Sequence, residues 1–198
     1  MICELCSEYC RTFAIRDLRM YNMYMQTLKP QDIAVLLKIL VIEAGWTLAG
    51  ISKELFLSAS EVHAALGRAQ KAGLFNSEQR KVNISALEEF LVHGIRYVFY
   101  TSNSGLTRGM PTSIAAPPLN NQFSDLEVPP IWPHPLGSVR GYVVDPLYKR
   151  LPEAAAADAK LYMLLALTDA LRESSPRVRS AAARVLHDIF EGLRTSSK

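Results

Sequence analysis

The sequence predicts a mainly helical protein in which two helical blocks flank an extended, proline-rich segment. Three observations carry this. Apolar residues recur at helical spacing over residues 30–100 and again over 153–198. Nine of the 11 prolines fall between Thr101 and Pro152, where they forbid long helices. That segment still carries Leu106, Ile114, Leu119, Phe123, Ile131, Trp132, Val139, Tyr142, Val143 and Tyr148, more apolar and aromatic surface than a disordered linker spends.

The first block reads as four helices. Pro30 suits a first helical position, where a missing N–H costs nothing. Ile33, Leu36, Leu37, Leu40 and Val41 form one stripe, while Val35, Ile39 and Ile42 fill other faces. A helix apolar nearly all round belongs in a core or between subunits, and Gly45 is a natural stop for it. Thr47 can cap a short second helix with Leu48, Ile51 and Leu55 on one side. Ser58-Ala59-Ser60-Glu61 is a capping box opening a third, with Leu57 and Val62 placed as a hydrophobic staple and Val62, Leu66 and Ala69 inward. Gly73 ends it. Leu74-Phe75 and Lys81-Val82 read as short extended pieces. Asn83 or Ser85 starts a fourth helix, Ser85 to Glu88 forming a second capping box, with the stripe Leu87, Phe90, Leu91, Ile95 and Val98.

In the proline-rich segment, Val139 to Val144 reads as a strand, and Trp132 is the expected anchor. Beyond it, Asp158 can cap a helix carrying Leu161, Leu164, Leu165, Thr168 and Leu171. Ser175-Pro176 starts the last helix, whose apolar side is Val178, Ala182, Val185, Leu186, Ile189 and Phe190. The expected divisions are therefore a leader over 1–26, a helical domain over 27–100, the wrapping segment over 101–152 and C-terminal helices over 153–198.

Composition excludes several classes. With 22 basic and 19 acidic residues in 198, the formal charge of +3 is too mild to reveal a nucleic-acid binder by itself. The longest apolar run, Leu161 to Leu167, falls far short of the roughly 20 residues a membrane helix needs, so no membrane association is expected. Cys3, Cys6 and Cys10 lack a fourth ligand nearby for a closed zinc site, and four scattered histidines give no metal spacing. The absence of an export signal and of a disulfide framework points to the cytoplasm. No nucleophile elbow, phosphate-binding or dinucleotide glycine loop, or H-E-x-x-H pattern occurs, so neither enzymatic activity nor a cofactor is expected.

The stretch Trp46 to Leu74 resembles a winged helix-turn-helix of the kind found in MarR-like bacterial regulators: a short helix ending in Lys53-Glu54-Leu55, then Leu57-Ser58 and Ser60-Glu61-Val62 opening a second helix, then Ala72-Gly73-Leu74 entering a wing. The later pieces His93 to Phe99, Thr107 to Ser113 and Ala115 to Leu119 resemble a group of poorly characterised bacterial proteins with such an N-terminal domain. The first resemblance implies a homodimeric transcriptional regulator that binds double-stranded DNA. The short Asn76 to Arg80 connection implies a stubby wing, and the proline-rich segment stands where that family has dimerisation helices, so dimer geometry and effector pocket do not transfer.

A recognition helix buries one face and offers small, polar and basic side chains on the other. The candidate DNA contacts are Thr47 and Ser58 at the helix starts, Ser60, His63, Arg68 and Lys71 on the third helix, and Arg80 and Lys81 on the wing. The alternative is a protein-interaction subunit, a scaffold or an antitoxin-like partner in a bacterial defence operon. Arg108 and Arg140, each before a glycine, suit either an anionic ligand or, as the preferred reading, ties to loop carbonyls or to Asp125, Glu127 or Asp145. Glu89 and His93 stand at local-pair spacing.

Overall fold

A computed structural model describes residues 27–42, 44–101, 104–123 and 126–196. The cysteines and the rest of the expected leader lie outside the described residues. The chain is mainly helical with two small sheets. The first block is α1 (Pro30–Ile42), α2 (Leu48–Leu55), α3 (Ala59–Lys71), the hairpin β1 (Phe75–Asn76) and β2 (Lys81–Val82), and α4 (Ile84–Glu89). A π turn (Phe90–Gly94) runs on into α5 (Ile95–Val98). Then come β3 (Ser104–Pro111), β4 (Pro130–Pro133) and β5 (Val139–Val143), followed by α6 (Leu151–Ala157), α7 (Ala159–Arg172) and α8 (Pro176–Ser196).

The all-round apolar α1 is the centre of the molecule. Every residue from Asp32 to Leu40 is buried, against α2, α3, β2 and α7. Its apolar surface is therefore covered within the chain, and the expectation that it could face a second subunit is corrected. One continuous apolar core runs from α1 through Trp132 to Phe190 of α8, so the blocks expected from the sequence share a single interior. The buried charges in it are partnered, as they must be. Lys38 reaches Asp158, at 2.6 Å, and Glu54. Burial would lower the Lys38 pKa, but these two carboxylates outweigh it and hold the ammonium above its ordinary value.

The caps are those that local chemistry dictates. Thr47 Oγ1 accepts from the Gly50 N–H, and Asp158 Oδ1 accepts from the N–H groups of Lys160 and Leu161. Asn83 caps α4 through the Ala86 N–H. The capping box expected at Ser85 is thus corrected: Glu88 turns away to bond Arg194 and His187 of α8. The expected stripe also breaks at Val98, which is 53% exposed. The π turn carries an i→i+5 bond from the Ile95 N–H to the Phe90 carbonyl, and its extra residue shifts the inward phase by one position. Phe99 turns in instead, edge-on to Phe90. The expected Glu89–His93 pair does not form among the described residues.

The proline-rich segment is ordered and extended over the helices. Its three strands close on one another: β3 pairs antiparallel with both β4 and β5, and β4 pairs parallel with β5. So tight a ring needs strands without side chains at the crossings. A Cβ on Gly109 would lie 2.0 Å from the Trp132 carbonyl oxygen, and one on Gly141 would lie 1.9 Å from that of Pro129. Both contacts are with backbone, which cannot swing aside. Gly141→Ala should therefore cost about 1–3 kcal/mol or more through overpacking. Gly67→Ala, on an exposed helix face with open space around it, should instead stabilise by about 0.5–1 kcal/mol. Urea unfolding of the two variants beside the parent measures both; equal midpoints would show that the ring relaxes freely.

The ring is pinned to α7 by a buried polar network. Asp169 Oδ2 accepts from Trp132 Nε1 at 2.6 Å and Thr112 Oγ1 at 2.8 Å, while Oδ1 accepts from Arg172 at 2.6 Å. Arg172 also donates to the carbonyls of Phe99 and Asp145. Glu173 accepts from Ser113 and Tyr142. Burial pushes the carboxyls of both Asp169 and Glu173 above their ordinary values.

Candidate nucleic-acid interface

The helix α3 crosses α1 and α2 with Val62, Ala65, Leu66 and Ala69 buried beneath it. Its start is fixed by the capping box. Ser58 Oγ accepts from the Glu61 N–H at 3.2 Å, and the Glu61 carboxylate accepts from the Ser58 N–H at 2.8 Å and hydroxyl at 2.7 Å. Hydrogen bonds from Ser58 hold the Glu61 carboxyl below its ordinary range. Ser58 is thus occupied in the cap, as Thr47 is at the start of α2. Glu61, the one carboxylate in the first turn, is drawn back onto that cap.

The outward face of α3 presents Ser60, His63, Ala64, Gly67 and Lys71, all exposed. Nothing lies within 4 Å of where a Cβ on Gly67 would stand, so this strip is low as well as free of carboxylates. Lys71 closes the helix at its C-terminal end, where a cation also favours the helix dipole.

Arg68 does not belong to this face, contrary to the sequence expectation. Its Nε and Nη2 donate to the two oxygens of Asp32, at 2.8 and 2.6 Å. Asp32 is fully buried, and only 12% of the Arg68 side chain is exposed. The hydrogen bonds to Asp32 raise the Arg68 pKa above its ordinary value. The arginine locks α3 onto α1, and its planar fork is spent on a carboxylate.

Arg80 needs a second correction. It sits at the hairpin turn in the left-handed region, φ 52°. Its guanidinium stacks on the Trp46 ring, 4.3 Å from the centroid, and donates to the Trp46 carbonyl at 2.9 Å. The Trp46 indole donates back to the Arg80 carbonyl. Trp46 also packs edge-on to Phe75. This reciprocal clasp ties the hairpin to the α1–α2 connection and leaves Lys81 as its outward cation. Neither clasp was legible from spacing: Asp32 and Arg68, like Trp46 and Arg80, are more than thirty residues apart. The one available signal was the lone carboxylate in the apolar α1.

A groove of about 690 Å³ runs beside the hairpin to the C-terminal end of α8, between Lys81 and Arg194. Arg194 is neutralised there by Glu88 and Glu191, so the positive charge of the groove is that of Arg80 and Lys81 at its hairpin end. Among the described residues, no cluster of histidine, cysteine or carboxylate could hold a metal ion, and no helix is long and apolar enough to cross a membrane. Compared with known families, curated proteins and solved structures, the chain matches none.

Proposed function

We propose that α2, α3 and the β1–β2 hairpin form a winged helix-turn-helix, and that the protein is a cytoplasmic DNA-binding transcriptional regulator. The observation that supports this best is the outward face of α3: small and polar side chains, no carboxylate, on a helix rigidly clamped by Arg68. Ser60, His63 and Lys71 would meet base edges or phosphates in the major groove, and Lys81 the flanking backbone. Thr47 and Ser58 act by fixing the helix starts, and Arg80 by fixing the wing.

The test is selection of a preferred duplex from a random-sequence library, followed by affinity measurements at matched salt. His63→Ala and Lys71→Ala should each weaken binding to the selected site by about 1–3 kcal/mol if they contact bases, with the fold retained. Unaltered affinity in both variants would remove α3 from the interface.

A second reading is favoured by one feature. Tyr97 and Val98 at the end of α5 and Tyr100 just beyond it are 70%, 53% and 76% exposed. An apolar and aromatic patch of this kind suits a protein contact, either with a second copy or with another subunit. A homodimer reading a two-fold operator would use such a surface, because α1 is covered.

A further inference from the structure

We propose that Arg108 and Arg140 form a two-arginine clip for a phosphate monoester. The two residues stand directly opposite each other on the antiparallel strands β3 and β5, and both are exposed. The Arg108 carbonyl turns away from β5 to accept from the His134 N–H. That makes Arg108–Arg140 a non-hydrogen-bonded pair, the closer kind, with Cα atoms about 4.5 Å apart and side chains on one face. Like charges in that position repel. Among the described residues neither guanidinium meets a carboxylate or a carbonyl, so the expected loop ties are absent; Asp125 lies outside the described residues. Glu173, which bonds Tyr142 one step along the same row of β5, is occupied by the Tyr142 and Ser113 hydroxyls. The platform is stiff, because Gly109 and Gly141, the next residues along each strand, sit at the closed crossings of the ring.

The chemistry of the ligand follows from this geometry. A carboxylate offers two oxygens in one plane and is satisfied by a single arginine fork. Two forks rising from neighbouring points match a tetrahedral group with three free oxygens. Two positive charges are balanced by the dianion, which a monoester carries above its second pKa of about 6 and a phosphodiester never does. The source is either a free nucleotide or the 5′-phosphate of a nucleic-acid end. This inference does not depend on the reading of α3.

The test uses the full chain and follows the arginine Nε–Hε resonances by NMR, assigned by their loss in Arg108→Gln and Arg140→Gln. Inorganic phosphate, AMP, and one short duplex with either a 5′-phosphate or a 5′-hydroxyl are titrated in. Saturable shifts of both resonances with AMP, weakening below about pH 6, would assign a free monoester. Shifts with the 5′-phosphorylated duplex only would assign a nucleic-acid end. Either single substitution should weaken binding of the responding probe at least tenfold. Arg140→Glu should abolish binding and raise the thermal midpoint, by replacing a repelling cross-strand pair with an attracting one. Equal response to 5′-phosphate and 5′-hydroxyl duplexes would overturn the monoester clip. So would linear, unsaturated shifts with every probe, or full binding after loss of one arginine.

Discussion

Arg68→Ala is expected to cost about 3–5 kcal/mol of stability, because it strands a buried carboxylate. Asp32 has no contact with water, and without the guanidinium it keeps one donor, the Lys29 N–H at 2.8 Å. For a chain of this size that is roughly 6–20 °C in thermal midpoint. Arg68→Lys should recover only part of the loss, since a single ammonium cannot fill both carboxylate oxygens in the forked geometry. Replacing both partners, as in Asp32→Leu with Arg68→Leu, should restore most of it, because the penalty belongs to the unpaired charge rather than to the site. Thermal and urea unfolding of the three variants decide the matter. Midpoints within a degree of the parent for Arg68→Ala would show that water reaches Asp32 and that the clamp is weak. The same comparison bears on DNA binding: Arg68→Ala should lose affinity only as it loses structure, whereas Lys71→Ala should lose affinity with structure intact.

The contrast between Arg68 and Lys71 also shows where sequence reading stops. Helix phase placed both on the outer side of α3, and three residues of spacing cannot tell an arginine that leans over a neighbouring helix from a lysine at a helix end. Local rules served well where the partner is local. Ser58, Asp158 and Thr47 cap their helices as their positions require, the α1 pattern correctly implied burial, and the proline-rich segment holds a strand over Val139–Val143. What failed was non-local or out of phase. The π turn moved the inward position from Val98 to Phe99, the partner of Arg80 was an indole 34 residues away, and the arginines of the ring found each other across β3 and β5 instead of loop acids. The candidate contacts Ser60, His63, Lys71 and Lys81 remain on the surface, while Arg68 and Arg80 became the braces that hold that surface still.

Trp132→Ala should destabilise the protein by about 3–5 kcal/mol, through the cavity it leaves in the middle of the shared core. Trp132 is fully buried on β4, with its ring edge-on to Tyr162 at 5.9 Å between centroids. The Tyr162 hydroxyl donates to the Pro111 carbonyl at 2.8 Å, and burial pushes its pKa up to about 12. The indole thus joins β4 to α7 by packing, and its Nε1–H joins them again through Asp169. Trp132→Phe separates these two contributions. It keeps most of the apolar volume but leaves Asp169 with Thr112 and Arg172 alone, so a smaller loss of about 1–3 kcal/mol is expected, the cost of one unmet bond to a buried charged group. Because the ring also holds Thr112, which donates to the same carboxylate, the alanine variant should loosen the whole wrapping segment. Limited proteolysis should cut residues 104–146 rapidly in Trp132→Ala and slowly in the parent. Rapid cutting of that segment in the parent itself, leaving two stable halves, would mean that the proline-rich ring is a tether and that the shared core does not hold the helical blocks together.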